Sequence, residues 1–399
     1  MLFLGLLFER SEEHLIAAKS RGGFLQNQVN TFQWNCIDGL HENGITDLTI
    51  VNALPVGIFP RMYSDFVIKS KEWIYNGRKH FQIGSINLPL FKQWGRYLAC
   101  KKLLKQLDDK EIIIYSTYQP FLKAVSMLDE SFKVTLIVPD LPEYYDYAKV
   151  GKVRRILRKI NNKSIEKLLS RVDRFVLLTD DMKEPLEVGN RPYVVVEGIC
   201  SSKTPKHLHE TLNKNKIVVY AGSMHKQFGI DVLIGAFELI QDDAYELWLC
   251  GQGDYQDEII LAAKRDKRIK YYGFVPKDEV SRLQSMATVL VNPRQNIGEY
   301  TKYSFPSKTM ECLLSGIPTV CYKLDGIPEE YGAYLNYVDD NSPEALRDML
   351  VSVCEDCTGK YTDRAERAID FLVEEKNPTT QSSKIINLIN GGSGKLKND

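Results

Sequence analysis

Short apolar runs alternate with longer amphipathic stretches along the whole chain of 399 residues. Such runs are typical of strands in a parallel sheet, because helices cover both faces of that sheet. The alternation therefore predicts an α/β protein in which each strand is followed by a helix. The predicted strands lie at 2–8, 47–52, 112–115, 134–138, 175–178, 193–196, 217–220, 245–250, 269–272, 289–291, 319–322 and 335–338.

The length of the chain favours two domains, since 399 residues are many for one hydrophobic core. Residues 201–215 are polar, lack periodicity and contain Pro205, so we interpret them as a linker. We expect one domain over 1–200 and a second over 216–375. A closing helix within 376–390 and a flexible tail at 391–399 complete the predicted organisation.

Charge and cysteine content exclude several classes of protein. The formal net charge is +0, which gives no support to a general nucleic-acid binder. Of the eight cysteines, Cys354 and Cys357 form the one close pair, and no histidines complete a zinc-ligand pattern. We therefore expect reduced thiols and a cytoplasmic protein. Residues 1–8 are apolar but too short for a membrane span, so a buried strand explains them better.

The segment 292–320 carries the most specific pattern. It reads Asn-Pro-Arg-Gln-Asn-Ile-Gly-Glu-Tyr-Thr-Lys-Tyr-Ser-Phe-Pro-Ser-Lys-Thr-Met-Glu-Cys-Leu-Leu-Ser-Gly-Ile-Pro-Thr-Val. This order predicts a strand end, a polar loop, a short helix that ends at Gly316, and another strand. We expect Pro306 in the first helical turn, with Ser304 or Ser307 as the capping side chain.

The start of this predicted helix favours an anion. Its first turn has no acidic residue and holds Lys308, while Arg294 lies just upstream. Glu311 lies four residues after Ser307 on the same helical face, where a carboxylate can accept hydrogen bonds from a ribose. The pattern therefore indicates a site for a nucleoside diphosphate.

This segment resembles the nucleotide-sugar loop of family 4 retaining glycosyltransferases, in particular the bacterial capsule and exopolysaccharide group. Asn-Pro-Arg at 292–294, Lys-Tyr-Ser-Phe-Pro-Ser-Lys at 302–308 and Glu311 carry the resemblance. Residues 216–348 resemble the donor-binding half of that family, and residues 1–200 resemble it loosely. The resemblance implies the GT-B fold, in which two Rossmann-like, doubly wound parallel-sheet domains face each other across a cleft. The first binds the acceptor and the second binds the donor, and the closing helix returns to the first domain.

The resemblance also implies a set of donor-binding residues. In the turn after the strand at 217–220 the family carries an arginine and a lysine where this chain has Ser223 and Phe228. His225 and Lys226 can replace that charge, although Lys226 can equally be a solvated turn lysine. The expected donor residues are Gly22, Gly23, Gly222, Ser223, Lys226, Gly251, Val275, Tyr303, Ser304, Phe305, Pro306, Ser307 and Glu311.

The expected catalytic residues are Arg294, Lys308, Glu299 and Asp140. The two cations would stabilise charge on a leaving diphosphate. Tyr303 stands where the family carries its first carboxylate, so Glu299 in the loop is predicted to lie beside the sugar. Asp140 follows a buried strand whose end is expected to face the cleft. We expect no metal and no cofactor, because no Asp-x-Asp motif is placed to hold a metal against the diphosphate.

These features predict a retaining enzyme that transfers a sugar from a uridine diphosphate sugar to a saccharide, expected to be lipid-linked, in surface polysaccharide synthesis. The alternative is a GT-B protein that has lost catalysis and binds or activates a partner; an epimerase or phosphorylase is disfavoured. Residues 149–174 hold ten basic and two acidic residues. They either contact the inner face of the plasma membrane peripherally or pack on the core with a solvated basic face. Nucleic acid is not an expected partner.

Overall fold

A computed structural model describes residues 1–21, 25–142, 152–200 and 216–391, without the side chains of 152–160 and 277. The predicted ligands Gly22 and Gly23, the predicted linker, residues 149–151 and most of the predicted tail lie outside the described residues. The chain divides into two compact units, and the first contains Met1–Ile199 and Asn377–Asp399. The second unit contains Cys200–Lys376.

The first unit is built around an eight-stranded sheet with the order β10-β9-β8-β7-β1-β2-β5-β4. Its strands pair in parallel, except that β4 runs antiparallel to β5. The strands of this unit are β1 (Leu2–Gly5), β2 (Thr49–Asn52), β3 (Val67–Ile68), β4 (Lys71–Tyr75), β5 (Arg78–Gln82), β6 (Ser85–Ile86), β7 (Glu111–Tyr115), β8 (Lys133–Val138), β9 (Arg174–Leu177) and β10 (Tyr193–Val195). The helices are α1 (Glu13–Lys19), α2 (Asn27–Glu42), α3 (Phe91–Leu104), α4 (Gln119–Val125) and α5 (Lys152–Leu169).

The six strands predicted for this half are present, but the apolar pattern missed β3 to β6. Strands β4 and β5 form a hairpin at the edge of the sheet, joined by Asn76 and Gly77 with φ of 48° and 72°. These angles are typical of a type I′ turn, for which Asn-Gly is the preferred sequence. Both strands begin with two consecutive charged residues, Lys71-Glu72 and Arg78-Lys79, so neither strand forms a continuous apolar run. The turn dipeptide, not hydrophobicity, was the signal for this hairpin.

The second unit contains a parallel six-stranded sheet with the order β13-β12-β11-β14-β15-β16. Its strands are β11 (Lys216–Ala221), β12 (Tyr245–Cys250), β13 (Ile269–Gly273), β14 (Val289–Asn292), β15 (Thr319–Cys321) and β16 (Asn336–Tyr337). All six match the predicted strands within a few residues. The helices are α6 (Ile230–Glu238), α7 (Gln256–Arg265), α8 (Lys277–Ser285), α9 (Ser307–Leu314), α10 (Pro343–Cys354) and α11 (Lys360–Glu375).

The last helix, α12 (Pro378–Ile389), belongs to the first unit, although it follows the second in sequence. It packs against α2, where the Ser382 hydroxyl donates to the Cys36 carbonyl at 3.1 Å. Ile385 and Leu388 are buried in the core of the first unit. The chain therefore crosses between the two units twice.

Candidate functional site

The candidate site lies where the strand order of the second sheet reverses. The chain runs from β11 outward to β13 on one side, and then resumes at β14 on the other side of β11. Loops that leave the carboxyl ends of two such neighbouring strands diverge, which leaves a crevice where α/β proteins bind ligands. The turn at 222–229 follows β11, and the loop at 293–306 follows β14 and leads into α9.

Helix α9 begins without a capping side chain. Pro306 is its N-cap residue rather than a member of the first turn, and no side chain accepts a hydrogen bond there. The predicted position of Pro306 and the predicted caps Ser304 and Ser307 are therefore wrong. The first turn carries no acidic residue. Amide groups left without a capping side chain, at the positive end of the helix dipole, favour an anion. The predicted left-handed helix end at Gly316 is confirmed by its φ of 70°.

Lys308 connects this helix to the turn after β11. Its ammonium group donates a hydrogen bond to the carbonyl of Ala221 at 2.7 Å and lies 5.6 Å from the ring centre of Tyr220. Burial lowers the pKa of Lys308, and the charge of Glu311 acts in the opposite direction. An anion bound beside Lys308 would favour its charged form, because opposite charges raise the pKa of an amine.

Two glycines make room for this arrangement. A Cβ atom at Gly222 would lie 2.1 Å from the Lys308 amino nitrogen, so the lysine occupies the space that a side chain would need. At Gly251, after β12, φ is 142° and a Cβ atom would lie 1.7 Å from the carbonyl oxygen of Gly222. The ends of β11 and β12 and the start of α9 therefore approach one another as closely as backbone allows.

Arg294 is the second cation at this crevice. Its guanidinium lies 4.7 Å from the ring centre of Tyr300 and 5.9 Å from that of Phe228, and it donates to the Ser304 hydroxyl at 3.2 Å. The Nε atom is buried and has no hydrogen-bond partner among the described residues. Phe228, which departs from the family pattern, thus contributes an aromatic neighbour for this cation.

The remaining predicted donor residues differ in their accessibility. Phe305 and Pro306 are buried, and Val275 packs on the apolar cluster that supports this edge. Tyr303 and Ser304 are half-buried, whereas Ser223, Glu299, Ser307 and Glu311 are exposed. The side chain of Lys226 is 70% exposed and its amino group lies 3.6 Å from Asp231. Lys308 and Arg294, rather than Lys226, are therefore the cations held at the crevice.

The first unit has a cavity of its own, with a volume of about 690 Å³, at the carboxyl ends of β7 and β8. Desolvation by the surrounding wall raises the pKa of Asp140 to about 6, although the residue is exposed to solvent. Sequence reasoning missed the residues that follow β7, among which Ser116 has a positive φ of 71°. A non-glycine residue in that conformation is strained, which the sequence does not reveal. The wall includes Leu6, Asn27, Gln93, Ser116, Thr117, Tyr118, Asp140 and Asn161.

Replacing Asp140 is expected to change how stability depends on pH. Because the folded state raises the pKa of this carboxyl from 3.8 to about 6, the folded protein binds the proton more tightly than the unfolded chain. The wild type therefore loses stability as the pH rises through this interval. At pH about 8, the free energy of unfolding of Asp140→Asn, measured in urea, should exceed that of the wild type by about 1 kcal/mol after allowance for solvent access. This difference in the free energy of unfolding should disappear at pH about 4. A difference of equal size at both pH values would contradict the prediction.

Two further findings concern metals and membranes. Among the described residues, no group of three histidine, cysteine, aspartate or glutamate side chains is placed to hold a metal ion. Within the same residues, no helix has the length and apolar character needed to cross a bilayer.

Comparison with known proteins finds a family match within the second unit. Residues 215–356 match the family model described as "Glycosyl transferases group 1". The O-antigen chain mannosyltransferase B of Escherichia coli is 24% identical over 236 residues, which is 54% of this chain and 58% of that protein. The amylovoran biosynthesis glycosyltransferase AmsK of Erwinia amylovora is 24% identical over 137 residues, 33% of this chain and 34% of that protein. The match thus spans about half the length of one curated relative and a third of the other.

The fold is shared with solved structures over nearly the whole chain. Anabaena HepE, solved in complex with UDP, aligns with a TM-score of 0.63 at 14% identity, and the alignment covers 98% of this chain and 99% of HepE. Likeness at this identity establishes the fold, which is GT-B. The predicted fold class and the GT4-like resemblance stated from the sequence are confirmed.

Proposed function

We propose that this chain is a retaining glycosyltransferase, because residues 215–356 match the glycosyl transferases group 1 model and the chain shares the GT-B fold. It transfers a sugar from a nucleoside diphosphate sugar, with uridine as the nucleoside, to a saccharide acceptor. The product belongs to a bacterial surface polysaccharide, as the names of its relatives suggest. The complex of HepE with UDP supports uridine as the base.

One observation carries the proposal. At the reversal of strand order, Lys308 reaches from an uncapped helix start to the carbonyl of Ala221, and Arg294 lies beside it in the loop after β14. Two cations and free amide groups at one crevice match the charge of a diphosphate. The same groups serve catalysis, because negative charge grows on the diphosphate as it leaves the sugar.

Glu311 is proposed to hold the ribose of the donor. It is exposed one turn along α9 from Ser307, so its carboxylate can accept hydrogen bonds from two neighbouring hydroxyl groups. Glu311→Ala should weaken nucleotide binding about tenfold to a hundredfold. A titration of UDP and of 2′,3′-dideoxy-UDP checks this role, because the variant should bind both equally well while the wild type prefers UDP. An unchanged preference in the variant would contradict the assignment.

The acceptor is proposed to bind in the first unit. Its cavity, lined by Asp140 and by hydroxyl and amide side chains, offers hydrogen-bonding groups of the kind that bind sugars. In the proposed retaining reaction the departing phosphate takes the proton of the acceptor hydroxyl. Asp140 orients that hydroxyl, and Glu299 lies beside the sugar. No metal takes part.

A lipid-linked acceptor would place the enzyme at the inner face of the plasma membrane. The basic segment 149–174 is one proposed contact with that membrane. Its described part includes Lys163 and Lys167, which are exposed on α5. Positive charge of this kind attracts anionic lipid.

Release of nucleoside diphosphate tests the proposed activity. Purified protein is incubated with a panel of nucleotide sugars and bacterial lipid extract, and the nucleoside diphosphate released is measured with and without the extract. Release from one donor, dependent on the extract and lost in Glu311→Ala, is the expected result. Absence of release from every donor, together with absence of nucleotide binding, would overturn the proposal.

A second function is kept because of a specific departure from the family pattern. Ser223 and Phe228 stand where relatives carry cations, and Ser223 is exposed and uncharged. If Lys308 and Arg294 do not compensate, the chain is a GT-B protein that binds or activates another glycosyltransferase. Restoring the family cations with Ser223→Arg and Phe228→Lys distinguishes the two functions. A gain of activity from an inactive wild type would favour the second one.

A further inference from the structure

Over its first two turns, helix α3 has basic side chains facing inward and large apolar side chains facing outward, the reverse of an ordinary surface helix. Its inward face, read at a spacing of four residues, is Lys92, Arg96, Cys100 and Leu104, all of them buried. Its outward face begins with Phe91, Trp94 and Leu98, which are 57%, 61% and 39% exposed. Large exposed apolar side chains in a cluster mark a surface that another body covers.

The buried cations fix this orientation. Arg96 donates to the Leu54 carbonyl at 2.7 Å and to the Tyr118 hydroxyl at 3.0 Å, and the Lys92 ammonium donates to the Val56 carbonyl. Both side chains thereby tie α3 to the loop after β2. A rotation of the helix that buried Trp94 would break these hydrogen bonds and leave carbonyl groups unsatisfied. The apolar side chains therefore face outward because the inward contacts require it.

The apolar surface continues beyond the helix. Leu90, immediately before α3, is 84% exposed and has a φ of 65°, which a leucine rarely adopts. Strand β6 packs against α3. On the small sheet of β3 and β6, Val67 and Ile86 lie directly opposite each other and are 49% and 44% exposed. We name Phe91, Trp94 and Leu98, with Leu90 and Ile86, the α3 patch.

Positive charge follows the α3 patch along the same helical face. Lys101 and Lys102 occupy the last turn of α3 and Lys105 follows it. At 100° per residue these three lysines fall on the side of Trp94 and Leu98. Residues 91–107 contain no aspartate or glutamate. The face is therefore apolar and aromatic at one end and cationic at the other, and α3 itself carries no acidic residue. The nearest acids in the sequence follow the lysines: Asp108 is exposed, and Asp109 pairs with the amino group of Met1.

We propose that the α3 patch docks this protein on an anionic lipid bilayer. Trp94 and Phe91 enter the boundary between headgroups and acyl chains, where aromatic rings are favoured, and Lys101, Lys102 and Lys105 contact anionic headgroups. A second copy of this chain fits the surface less well, because it would bring the same uncompensated cations to the interface. Since net charge is +0, attraction to the bilayer must come from such a local concentration of cations.

Vesicle sedimentation tests this proposal without reference to activity. The full chain is mixed with vesicles of phosphatidylcholine alone, or of equal parts phosphatidylcholine and phosphatidylglycerol, and the bound fraction is measured against lipid concentration. The wild type should bind the anionic vesicles. The double variant Trp94→Ser, Leu98→Ser should bind at least about tenfold more weakly. Changing Lys101, Lys102 and Lys105 to Gln should weaken binding about a hundredfold, since each lysine contributes about fivefold.

Matched controls separate this surface from others. Ile74 is 67% exposed on the edge strand β4, so Ile74→Ser removes exposed apolar area away from α3 and should leave binding unchanged. Thermal unfolding confirms that each variant is folded. Wild type that does not bind anionic vesicles would overturn the proposal. The proposal would also be overturned if the Trp94, Leu98 double variant still bound the vesicles and the double variant Lys163→Gln, Lys167→Gln did not. That result would place the membrane contact on α5. A concentration-dependent dimer that Trp94→Ser abolishes, with no vesicle binding, would overturn it in favour of self-association.

Discussion

Lys308→Ala is expected to reduce sugar transfer by about a hundredfold to a thousandfold while the protein remains folded. The reason is the position of its ammonium group, which lies at the turn after β11, 2.7 Å from the carbonyl of Ala221. In the proposed reaction a diphosphate at this crevice gains negative charge as the sugar departs, and the half-buried Lys308 is the cation proposed to stabilise that charge. The measurement is the rate of nucleoside diphosphate release at saturating donor.

Lys226 provides the matched control. It lies in the turn after β11, near the Lys308 contact with Ala221, and carries the same charge, but its side chain is 70% exposed and its amino group lies 3.6 Å from Asp231. Lys226→Ala should therefore lower the rate by no more than a few fold, because an exposed charge is screened by solvent. Equal losses in the two variants would show that position within the crevice does not matter. That result would contradict the assignment of Lys308.

Gly251→Ala is expected to destabilise the second unit by about 3 kcal/mol or more and to abolish nucleotide binding. The added methyl group would meet the carbonyl oxygen of Gly222 at 1.7 Å, and φ at this position is 142°. Neither atom can move without displacing the end of β11 or of β12, and Lys308 is hydrogen-bonded to that end of β11. Urea unfolding gives the change in stability, and a UDP titration gives the change in binding.

Gly273, at the end of the neighbouring strand β13, is the matched control for Gly251. It has the positive φ of Gly251 without the steric clash. Its φ is 67°, but an added Cβ atom would have no neighbour within 4 Å. Gly273→Ala should cost about 1 kcal/mol, which is the usual penalty for alanine at positive φ. If Gly251→Ala lowered the free energy of unfolding no more than Gly273→Ala, the inference that the strands approach closely at Gly222 would be wrong.

The sheets could be predicted from the sequence because their central strands are buried on both faces. Continuous apolar runs such as those of β7 and β11 have no competing interpretation once turns and helices bound them. Strands β4 and β5 were not predicted by the same reasoning, because each begins with two consecutive charged residues and so lacks a continuous apolar run. The inverted helix α3 was not predictable from pattern, because its apolar face turns to solvent and its cations turn inward.

The candidate site could be located but not built from the sequence. The start of α9 predicted an anion site, since a first turn with Lys308 and without acidic residues, preceded by Arg294, is visible in the sequence. The contact of Lys308 with Ala221 could not be predicted from the sequence, because 87 residues separate them along the chain. The same holds for Phe228, whose proximity to Arg294 depends on the pairing of β11 with β14. Backbone approach at Gly222 likewise follows from packing alone.

Isothermal titration with UDP, with GDP and with the two nucleosides tests the central claim, that the crevice between β11 and β14 holds a nucleoside diphosphate. We expect UDP to bind the wild type and Lys308→Ala to weaken UDP binding about tenfold to a hundredfold. Uridine, which lacks the diphosphate, should bind both proteins equally. Diphosphate binding that is absent from the wild type, or equally strong in wild type and Lys308→Ala, would contradict the account.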